Sequence, residues 1–426
     1  MAGTFGALRS PLFRRVEGAV AVANVGDWFQ ITGRGVLVYQ ATGSTAAVGS
    51  VYLATYLPQL VLLPVAGLFA DRYDRRRFLL ATSAAQVVCA ALLAWFSSSA
   101  SLSLAAVLAV SLVQGTAVTL AAPVGLAMQP ALVPPEAVAS AVTVSVTVAN
   151  VARVIGPLLA GVVIAGPGIG WLFGLAAASY LGVTATWWVT RVGAREPDPA
   201  ARTTLASLSA GARHVRSTPQ LSVPIGLLAV LSAVGLVYQP LGVAFATAIL
   251  SHGDRTTGTT VYTEIQAAIG VGAVLGVALT TRLATRPVLG LAATGVVFSG
   301  ALAGFGLAPS AGTAVGIAAL LGAAHFANSN LVLILVQSSV PEALRGRVMA
   351  VVLLAWVGTI PVSALVLGVV AQHAGTRATI VGCAVVCLLA SVTVLRHTAA
   401  LRTSAALQRA PGPAALPLEV LVAEEV

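Results

Sequence analysis

"GLFADRYDRRRFLL" (residues 67–80) places two aspartates and four arginines in one short stretch of a chain that is only 8% charged. The 426 residues are 58% apolar, and their mean hydropathy is +0.95. A soluble domain of this size needs a charged surface that this chain lacks. Its apolar residues instead form runs of about 20 residues, the length that a helix needs to cross a bilayer. The sequence therefore predicts a polytopic α-helical membrane protein, with this charged stretch as a loop between two spans.

The apolar runs predict twelve spans, and the arginines between them predict the orientation. The predicted spans are 16–40, 47–69, 78–98, 102–128, 137–165, 169–191, 220–250, 259–281, 287–308, 311–338, 348–371 and 376–396. Of the 23 arginines, 19 fall on the side that holds both termini, two on the other side and two within spans. Because positively charged loops stay in the cytoplasm, we expect a multi-pass protein of the bacterial plasma (inner) membrane with both termini cytoplasmic.

Short repeated segments indicate that the chain consists of two similar halves. Pro135 and Pro341 each begin a Pro-Glu-Ala segment and are 206 residues apart, while Pro157 and Pro361 are 204 apart. Tandem halves around a site at the membrane midplane are a transporter architecture. The predicted units are an N-terminal six-helix half at 1–191, a cytoplasmic linker at 192–219 with a short surface helix, a C-terminal six-helix half at 220–400 and a disordered cytoplasmic tail at 401–426.

The loop at 67–80 resembles the signature loop between helices two and three of the major facilitator superfamily. The matching residues are Gly67, Asp71, Arg72, Arg75 and Arg76. The loop departs from that pattern at Asp74, where the family usually has glycine. In the family, the aspartate at the position of Asp71 meets the N-terminal end of helix eleven, here near Arg347 and Val348, when the cytoplasmic side closes. The resemblance thus implies a conformational latch, whereas the alternative is that the whole loop only anchors the topology, which is our interpretation of Arg77.

A second segment, "NVARVIGPLLAGVV" (150–163), resembles the antiporter motif of exporters in this superfamily, at Gly156, Pro157 and Gly161. "NVGDWFQ", "TGSTAAVG" and "VPEALRGRVMA" resemble the drug exporter branch that includes macrolide efflux pumps and the enterobactin exporter. The resemblance implies an all-α fold of twelve transmembrane helices in two pseudo-symmetric halves. It also implies secondary export of an amphipathic drug or natural product by proton antiport, with antibiotic resistance as a consequence. The helix-four arginine usual in such exporters is absent, because Ser111 stands three residues before Gln114.

Ionisable groups inside spans are costly, so they are candidates for function. The candidates for proton coupling are Asp27, Arg153, Glu264 and His325. For each an alternative stays open: a permanent Asp27–Arg153 pair, a Glu264 wetted at the outer surface, or a His325 that bonds a neighbouring helix. In the family, helices one, four, seven and ten line the cavity. The candidates for the substrate cavity are therefore Trp28, Arg34, Tyr238, Gln239, Asn328 and Asn330, with a snorkelling Arg34 as an alternative.

Other functional classes find little support in the sequence. It contains no HExxH, Walker A or GxSxG motif, and its three cysteines lie in apolar runs without histidine partners. We therefore expect no enzymatic activity, no cofactor, no metal and no nucleic-acid partner. The expected partners are a small-molecule substrate, protons and the lipid bilayer, for a chain that we expect to be a monomer. A siderophore or lysophospholipid transporter of the same fold, or a non-transporting membrane sensor, remains an alternative.

Overall fold

A computed structural model describes residues 6–72, 74–98, 102–190 and 205–409. Across these ranges the regular secondary structure is helical throughout, with no strand. Eleven segments in the described chain have the length and apolar composition of a membrane span. One further helix, α1 (Pro11–Thr42), has 32 residues, or about 48 Å of length, which also exceeds a bilayer core. It carries most of the predicted ionisable groups of the N-terminal half. The twelve predicted spans are thus all present as long helical segments.

The N-terminal half consists of α1 and five further long helices. These are α2 (Thr45–Arg72), α3 (Arg75–Ser98), α4 (Leu104–Leu132), α5 (Val138–Ala165) and α6 (Ile169–Val189). Helix α1 begins with the Ser10 hydroxyl accepting a hydrogen bond from the N–H of Phe13, and it ends at Gly43, whose φ of 63° a glycine adopts without strain. Within this half α1 packs against α5 and α6, α2 packs against α4, and α3 packs against α4 and α6.

A linker helix leads into the C-terminal half. The elements are α7 (Leu205–Ser217), α8 (Pro219–Ala233), α9 (Tyr238–Ala244), α10 (Arg255–Leu283), α11 (Pro287–Leu307), α12 (Ala311–Ser339), α13 (Glu342–Trp356), α14 (Ile360–Ala374) and α15 (Thr376–Arg409). Helix α10 packs against α12, and α11 packs against α12 and α15. The two halves meet where α5 packs on α10 and α2 packs on α14.

Two spans that the sequence predicts as continuous, 220–250 and 348–371, are interrupted. The first passes from α8 through a 3₁₀ turn at Gly235–Val237 into α9 and then into a π-helical turn at Phe245–Leu250. The second breaks between α13 and α14. Each break lies just before a proline, Pro240 or Pro361. Proline has no N–H for the carbonyl one turn earlier, so hydropathy alone could not locate these breaks.

The described part of the 67–80 loop shows why aspartate is accommodated where the superfamily pattern has glycine. Asp74 stands just before α3, and its Oδ1 accepts a hydrogen bond from the N–H of Arg77 at 2.7 Å. This is an N-cap, which satisfies one of the free N–H groups at the helix start. Arg75 donates to the carbonyl of Ala127 at 3.2 Å, and Arg76 donates to the carbonyl of Trp187 at 2.8 Å. The loop is thereby tied to the ends of α4 and α6.

The linker and the tail differ in part from their predicted form. The surface helix predicted in the linker is present as α7, and it buries Gly211 and Val215 against α13. Gly211 lies directly over the backbone of Arg347, at the start of α13. The tail predicted to be disordered from 401 is helical to Arg409, because the chain there is rich in alanine and leucine and has no proline before Pro411. Residues 191–204 and 410–426 lie outside the described residues.

Candidate functional site

The N-terminal half contains an open cavity of about 520 Å³ between α1, α3, α4, α5 and α6. It runs from the middle of α1, at Asp27, to the helix ends at Leu132 and Trp187. Its volume is that of a site for a drug-sized molecule, for which about 300–1,000 Å³ is typical. Leu126 lines the cavity with 63% of its surface exposed, so the cavity opens to the outside of the protein.

Asp27 is one of two carboxylates that line this cavity. Its Oδ1 accepts a hydrogen bond from the Tyr180 hydroxyl at 2.6 Å. Tyr180 in turn accepts from the Gln114 amide at 3.3 Å, and Gln114 accepts from the Gln30 amide at 3.3 Å. This polar network joins α1, α6 and α4 in the bundle interior. It holds the carboxylate of Asp27 in a fixed orientation toward the cavity.

The second carboxylate, Glu17, lies at the opposite end of the cavity from Asp27. It is 7% exposed. Its Oε2 accepts a hydrogen bond from the Ser145 hydroxyl at 2.8 Å, and that hydroxyl accepts from the Gln129 amide at 3.0 Å. The other oxygen, Oε1, is buried and has no hydrogen-bond partner. Ten residues separate the two acids, which is about 15 Å along the helix axis.

Arg153 does not pair with Asp27 in this structure. Its guanidinium lies 4.3 Å from the ring centroid of Phe326 and 6.0 Å from that of Trp28, and its buried Nη1 has no hydrogen-bond partner. The alternative of a permanent Asp27–Arg153 ion pair is therefore wrong. Because Arg153 belongs to α5 and Phe326 to α12, this cation–π contact joins the two halves.

The residues of the antiporter motif bring α5 close to helices of both halves. Gly156 lies against the side chain of Trp28 on α1, and a Cβ at Gly161 would overlap the hydroxyl of Thr263 on α10. Pro157 is buried between them, inside the helix. Only glycine leaves room for these approaches, so the motif determines how α5 packs between α1 and α10.

The other predicted proton-coupling groups lie away from the cavity. His325 is 1% exposed and lies between the rings of Phe298 and Phe326, with centroids 5.6 and 5.4 Å away. Its Nδ1 has no hydrogen-bond partner. This atom therefore does not form the bond to a neighbouring helix that the alternative interpretation requires. Glu264 is exposed on α10, near the end of that helix where the outer surface is predicted.

The residues predicted for the substrate cavity do not form one group. Arg34 is 4% exposed and donates to the carbonyl of Gln30 and the hydroxyl of Thr55, so it does not snorkel to the surface. Asn328 is fully buried and donates to α11, at the carbonyl of Leu291. It joins two helices and does not line the cavity.

The remaining four predicted cavity residues have separate surroundings. Trp28 lies against Gly156 of α5 and does not line the cavity. Asn330 donates to the carbonyl of Phe326 within its own helix. Tyr238 is 1% exposed, whereas Gln239 is half-buried and its carbonyl accepts a hydrogen bond from Tyr52 at 3.2 Å. The geometry therefore does not support one shared cavity for the predicted set.

The predicted latch is described only in part. The surroundings of Gly67, Asp71 and Arg72 lie outside the described residues. Its predicted partner is the segment at Arg347 and Val348, near the start of α13. The side chain of Arg347 is exposed although its backbone lies against Gly211 of α7, and Val348 is fully buried. The latch therefore stays a prediction.

Asp71→Asn is expected to reduce transport several-fold while membrane abundance stays near that of the parent, because the predicted latch would lose its charge while the side chain keeps its size. Arg77→Ala should have little effect, since Arg77 is exposed and its N–H, which donates to the capping Oδ1 of Asp74, is kept. Initial transport rates normalised to protein in the membrane would test this. Equal rates for the two variants would show that the loop is only an anchor.

Hydrogen bonds between the halves gather at the end of the bundle that holds the turn between α1 and α2. The Thr45 hydroxyl donates to the carbonyl of Gly368 at 2.8 Å, and the Gln40 amide donates to the Thr259 hydroxyl at 3.1 Å. The cavity lies toward the opposite end, where α1 begins and α6 ends. The described structure is thus closed at the end predicted to face outward.

Twelve long helices in two halves that close against each other at one end, with an acidic cavity inside the N-terminal half, define a membrane transporter of the major facilitator fold. The model of the transmembrane secretion effector family matches residues 2–424, and the chain belongs to that family. The enterobactin exporter EntS of Citrobacter koseri is 30% identical over 321 residues, which cover 74% of each chain. EntS of an Escherichia coli O1:K1 strain is 29% identical over the same share.

Solved structures agree with this assignment at the level of the fold. The nucleoside transporter NupG has a TM-score of 0.75 at 11% identity and covers 91% of this chain and 98% of its own. A bacterial homologue of the human lysosomal transporter Spinster has a TM-score of 0.70 at 16% identity, with 91% and 98% covered. The recognition of the superfamily and the all-α fold class are confirmed. The protein is a multi-pass secondary transporter, and its family and fold are those of transporters rather than enzymes.

Three residues of the site were missed in the sequence. Glu17 lies at the edge of the first apolar run, where an acid is ordinary, and only the cavity shows that it is buried. Tyr180 and Ser145 lie in apolar runs on helices that the superfamily pattern does not mark as cavity-lining. Hydropathy does not distinguish a polar side chain facing a cavity from one bonded within its own helix.

Proposed function

We propose that this protein exports an amphipathic small molecule across the bacterial plasma membrane in exchange for protons. The observation that carries the proposal is Asp27, a carboxylate that lines the interior cavity and is bonded to Tyr180 but makes no ion pair in the described structure. A carboxylate in such a place can gain and lose a proton without breaking a salt bridge. Ionisable groups of this kind inside spans mark proton relays in transporters.

Arg153 supplies a candidate for the link between protonation and movement. It joins α5 to α12 across the two halves through Phe326, and it lies beside Trp28, the neighbour of Asp27 in sequence. When the halves rock, this contact must change, and the arginine can then approach or leave the carboxylate. Coupling requires such differential contact in two states. We propose that Arg153 acts in this way and that both termini face the cytoplasm.

A second candidate substrate is a siderophore, which the similarity to enterobactin exporters favours. The acidic cavity favours a neutral or cationic molecule over an anionic one. The two candidates share the fold, the direction and the proton coupling, so a transport assay with both types of substrate separates them.

Proteoliposomes with an acidic interior are expected to accumulate ethidium, an amphipathic cation, several-fold over proteoliposomes at equal pH. The pH gradient drives protons out of the proteoliposomes and the substrate into them. For protein inserted with its cytoplasmic side facing the medium, this movement of substrate corresponds to export from a cell. Ethidium fluorescence would be followed with the membrane potential clamped by potassium and valinomycin. Nigericin, which removes the gradient, should abolish the accumulation.

Three results would contradict the proposal in different ways. Accumulation that persists with nigericin would exclude proton coupling. Accumulation of enterobactin but not of ethidium or erythromycin under the same gradient would favour the siderophore exporter. No gradient-dependent movement of any of the three, with protein shown to be folded and inserted, would leave the non-transporting sensor as the better description.

A further inference from the structure

We propose that the cavity inside the N-terminal half is the binding site for an organic cation whose charged group lies beside Glu17. The cavity is walled by α1, α3, α4, α5 and α6 and is thus separate from the junction between the two halves. This inference rests on the proposed function, to which it adds the charge of the substrate and the place where it binds.

The charge of the cavity is the first argument. Glu17 and Asp27 both line it, and none of the described residues in its lining is basic. Only 7% of the surface of Glu17 is exposed, and its Oε1 has no hydrogen-bond partner. A buried carboxylate oxygen without a partner is unfavourable, and a cation brought next to it would remove that penalty. Asp27, in contrast, already has the Tyr180 hydroxyl as a partner.

Several arginines lie near the cavity walls in the chain. Arg14 and Arg15 are exposed at the start of α1 and do not line the cavity, and Arg75 and Arg76 are engaged elsewhere. Arg75 donates to the carbonyl of Ala127 near the end of α4, and Arg76 donates to the carbonyls of Trp187 and Trp188 at the end of α6. Both therefore compensate the negative ends of helix dipoles. Neither lines the cavity, so neither neutralises Glu17 by direct contact.

The walls define the rest of the ligand. Around the two acids the lining is mostly apolar, with Val20, Leu79, Val183 and the indole of Trp187 among its residues. A volume of about 520 Å³ accepts a molecule with several rings. A cation with bulky apolar groups fits this combination, whereas a small hydrated cation or an anion does not.

The position of the site connects it to the coupling residue. A ligand charge at Glu17 lies in the same cavity as Asp27 and about 15 Å from it along α1. Its field acts on Asp27 through an interior of low dielectric. Substrate and proton thus occupy two ends of one cavity and do not compete for the same oxygen atoms.

Tetraphenylphosphonium and tetraphenylborate test the site, because they have nearly the same shape and opposite charge. Equilibrium dialysis of the purified full-length protein in neutral detergent, with no gradient, should show saturable binding of tetraphenylphosphonium alone. Glu17→Gln should weaken that binding about tenfold or more, since it removes a charge-assisted contact. Glu136→Gln, the same substitution at an exposed residue between α4 and α5, should bind as the parent does.

Outcomes that overturn the site are distinct from those that overturn the transport function. Equal affinity of the parent and Glu17→Gln, binding of neither probe, or preferred binding of tetraphenylborate would each refute the cation site. Any of these together with intact gradient-driven transport would leave the proposed function standing. Charge-selective binding that depends on Glu17, without gradient-driven transport, would support the site and refute the transport proposal. A thermal melt of Glu17→Gln near that of the parent would exclude misfolding as the cause of lost binding.

Discussion

Gly322→Val is expected to reduce the yield of folded protein about tenfold or more, because α12 has no space for a side chain where it meets α10. A Cβ at Gly322 would overlap the carbonyl oxygen of Ile269, and that atom belongs to the backbone and cannot rotate away. Gly272 on α10 meets Ala319 on α12 in the same manner. Helices in a bilayer associate through such close packing, since lipid tails are as apolar as the side chains. Overpacking costs about 1–3 kcal/mol, and about 1.4 kcal/mol is a factor of ten.

Gly316→Val on the same helix is the matched control. Gly316 is exposed, and nothing lies within 4 Å of a Cβ added there. Both variants make the same change in helix propensity, so any difference between them reports the contact with α10. Size-exclusion chromatography of a fluorescent fusion gives the folded yield, and a thermal melt gives the stability of what remains. Equal yields and equal melting temperatures for the two variants would refute the close packing of α10 and α12.

The fold was largely predictable from the sequence because a bilayer imposes one dominant constraint. A span must be apolar for about 20 residues, and the loops must carry the charges. The helices appear where the apolar runs are, including α1 with its interior Asp27. The breaks before Pro240 and Pro361 were not predicted, because hydropathy does not register a missing N–H. The N-cap at Asp74 was also missed, since the superfamily pattern drew attention to the absent glycine and not to the capping oxygen.

The site was less predictable because its partners come from different helices. The sequence singled out Asp27 as an ionisable group inside a span, and the structure places it in the lining of a cavity. The sequence alone could not show that the partner of Asp27 is Tyr180, 153 residues later. Nor could it show that Arg153 faces Phe326 and not Asp27. Such pairings depend on the rotation of each helix about its axis. With apolar residues on every side of a span, the sequence contains little information about that rotation.

Asp27→Asn is expected to abolish uphill, gradient-driven transport while substrate binding and passive exchange continue. The asparagine Oδ1 can still accept the hydrogen bond that Tyr180 donates to Asp27 at 2.6 Å, so the links to α6 and α4 are kept. What the substitution removes is the group that binds and releases a proton. Substrate counterflow between proteoliposomes and medium, measured at equal pH, should stay within about threefold of the parent, because this role differs from that of Glu17. Accumulation driven by a pH gradient should fall to the level of empty liposomes.

Asp254→Asn is the matched control for the same substitution at the surface. Asp254 caps α10 outside the spans, and hydrogen bonds from the Thr257 hydroxyl and the Thr256 N–H hold the pKa of its carboxyl below the ordinary value. It therefore stays ionised as the pH falls toward the acidic range and cannot carry a proton at neutral pH. Asparagine is an equally good N-cap. Asp254→Asn should pump as the parent does.

Tyr180→Phe distinguishes a proton-binding role of Asp27 from a purely structural one. It leaves the carboxylate of Asp27 in place and removes the hydroxyl bonded to it, which stabilises the ionised form. Gradient-driven transport should persist, with a pH dependence that differs from that of the parent. If Asp27 had only a structural role, the opposite pattern would be expected. Asp27→Asn and Tyr180→Phe would then both lower protein stability and leave the pH dependence of transport unchanged. If Asp27→Asn accumulates substrate against a gradient as well as the parent, Asp27 is not the coupling group. His325, buried between two phenylalanine rings, and Glu264, exposed on α10, would then be the next residues to substitute.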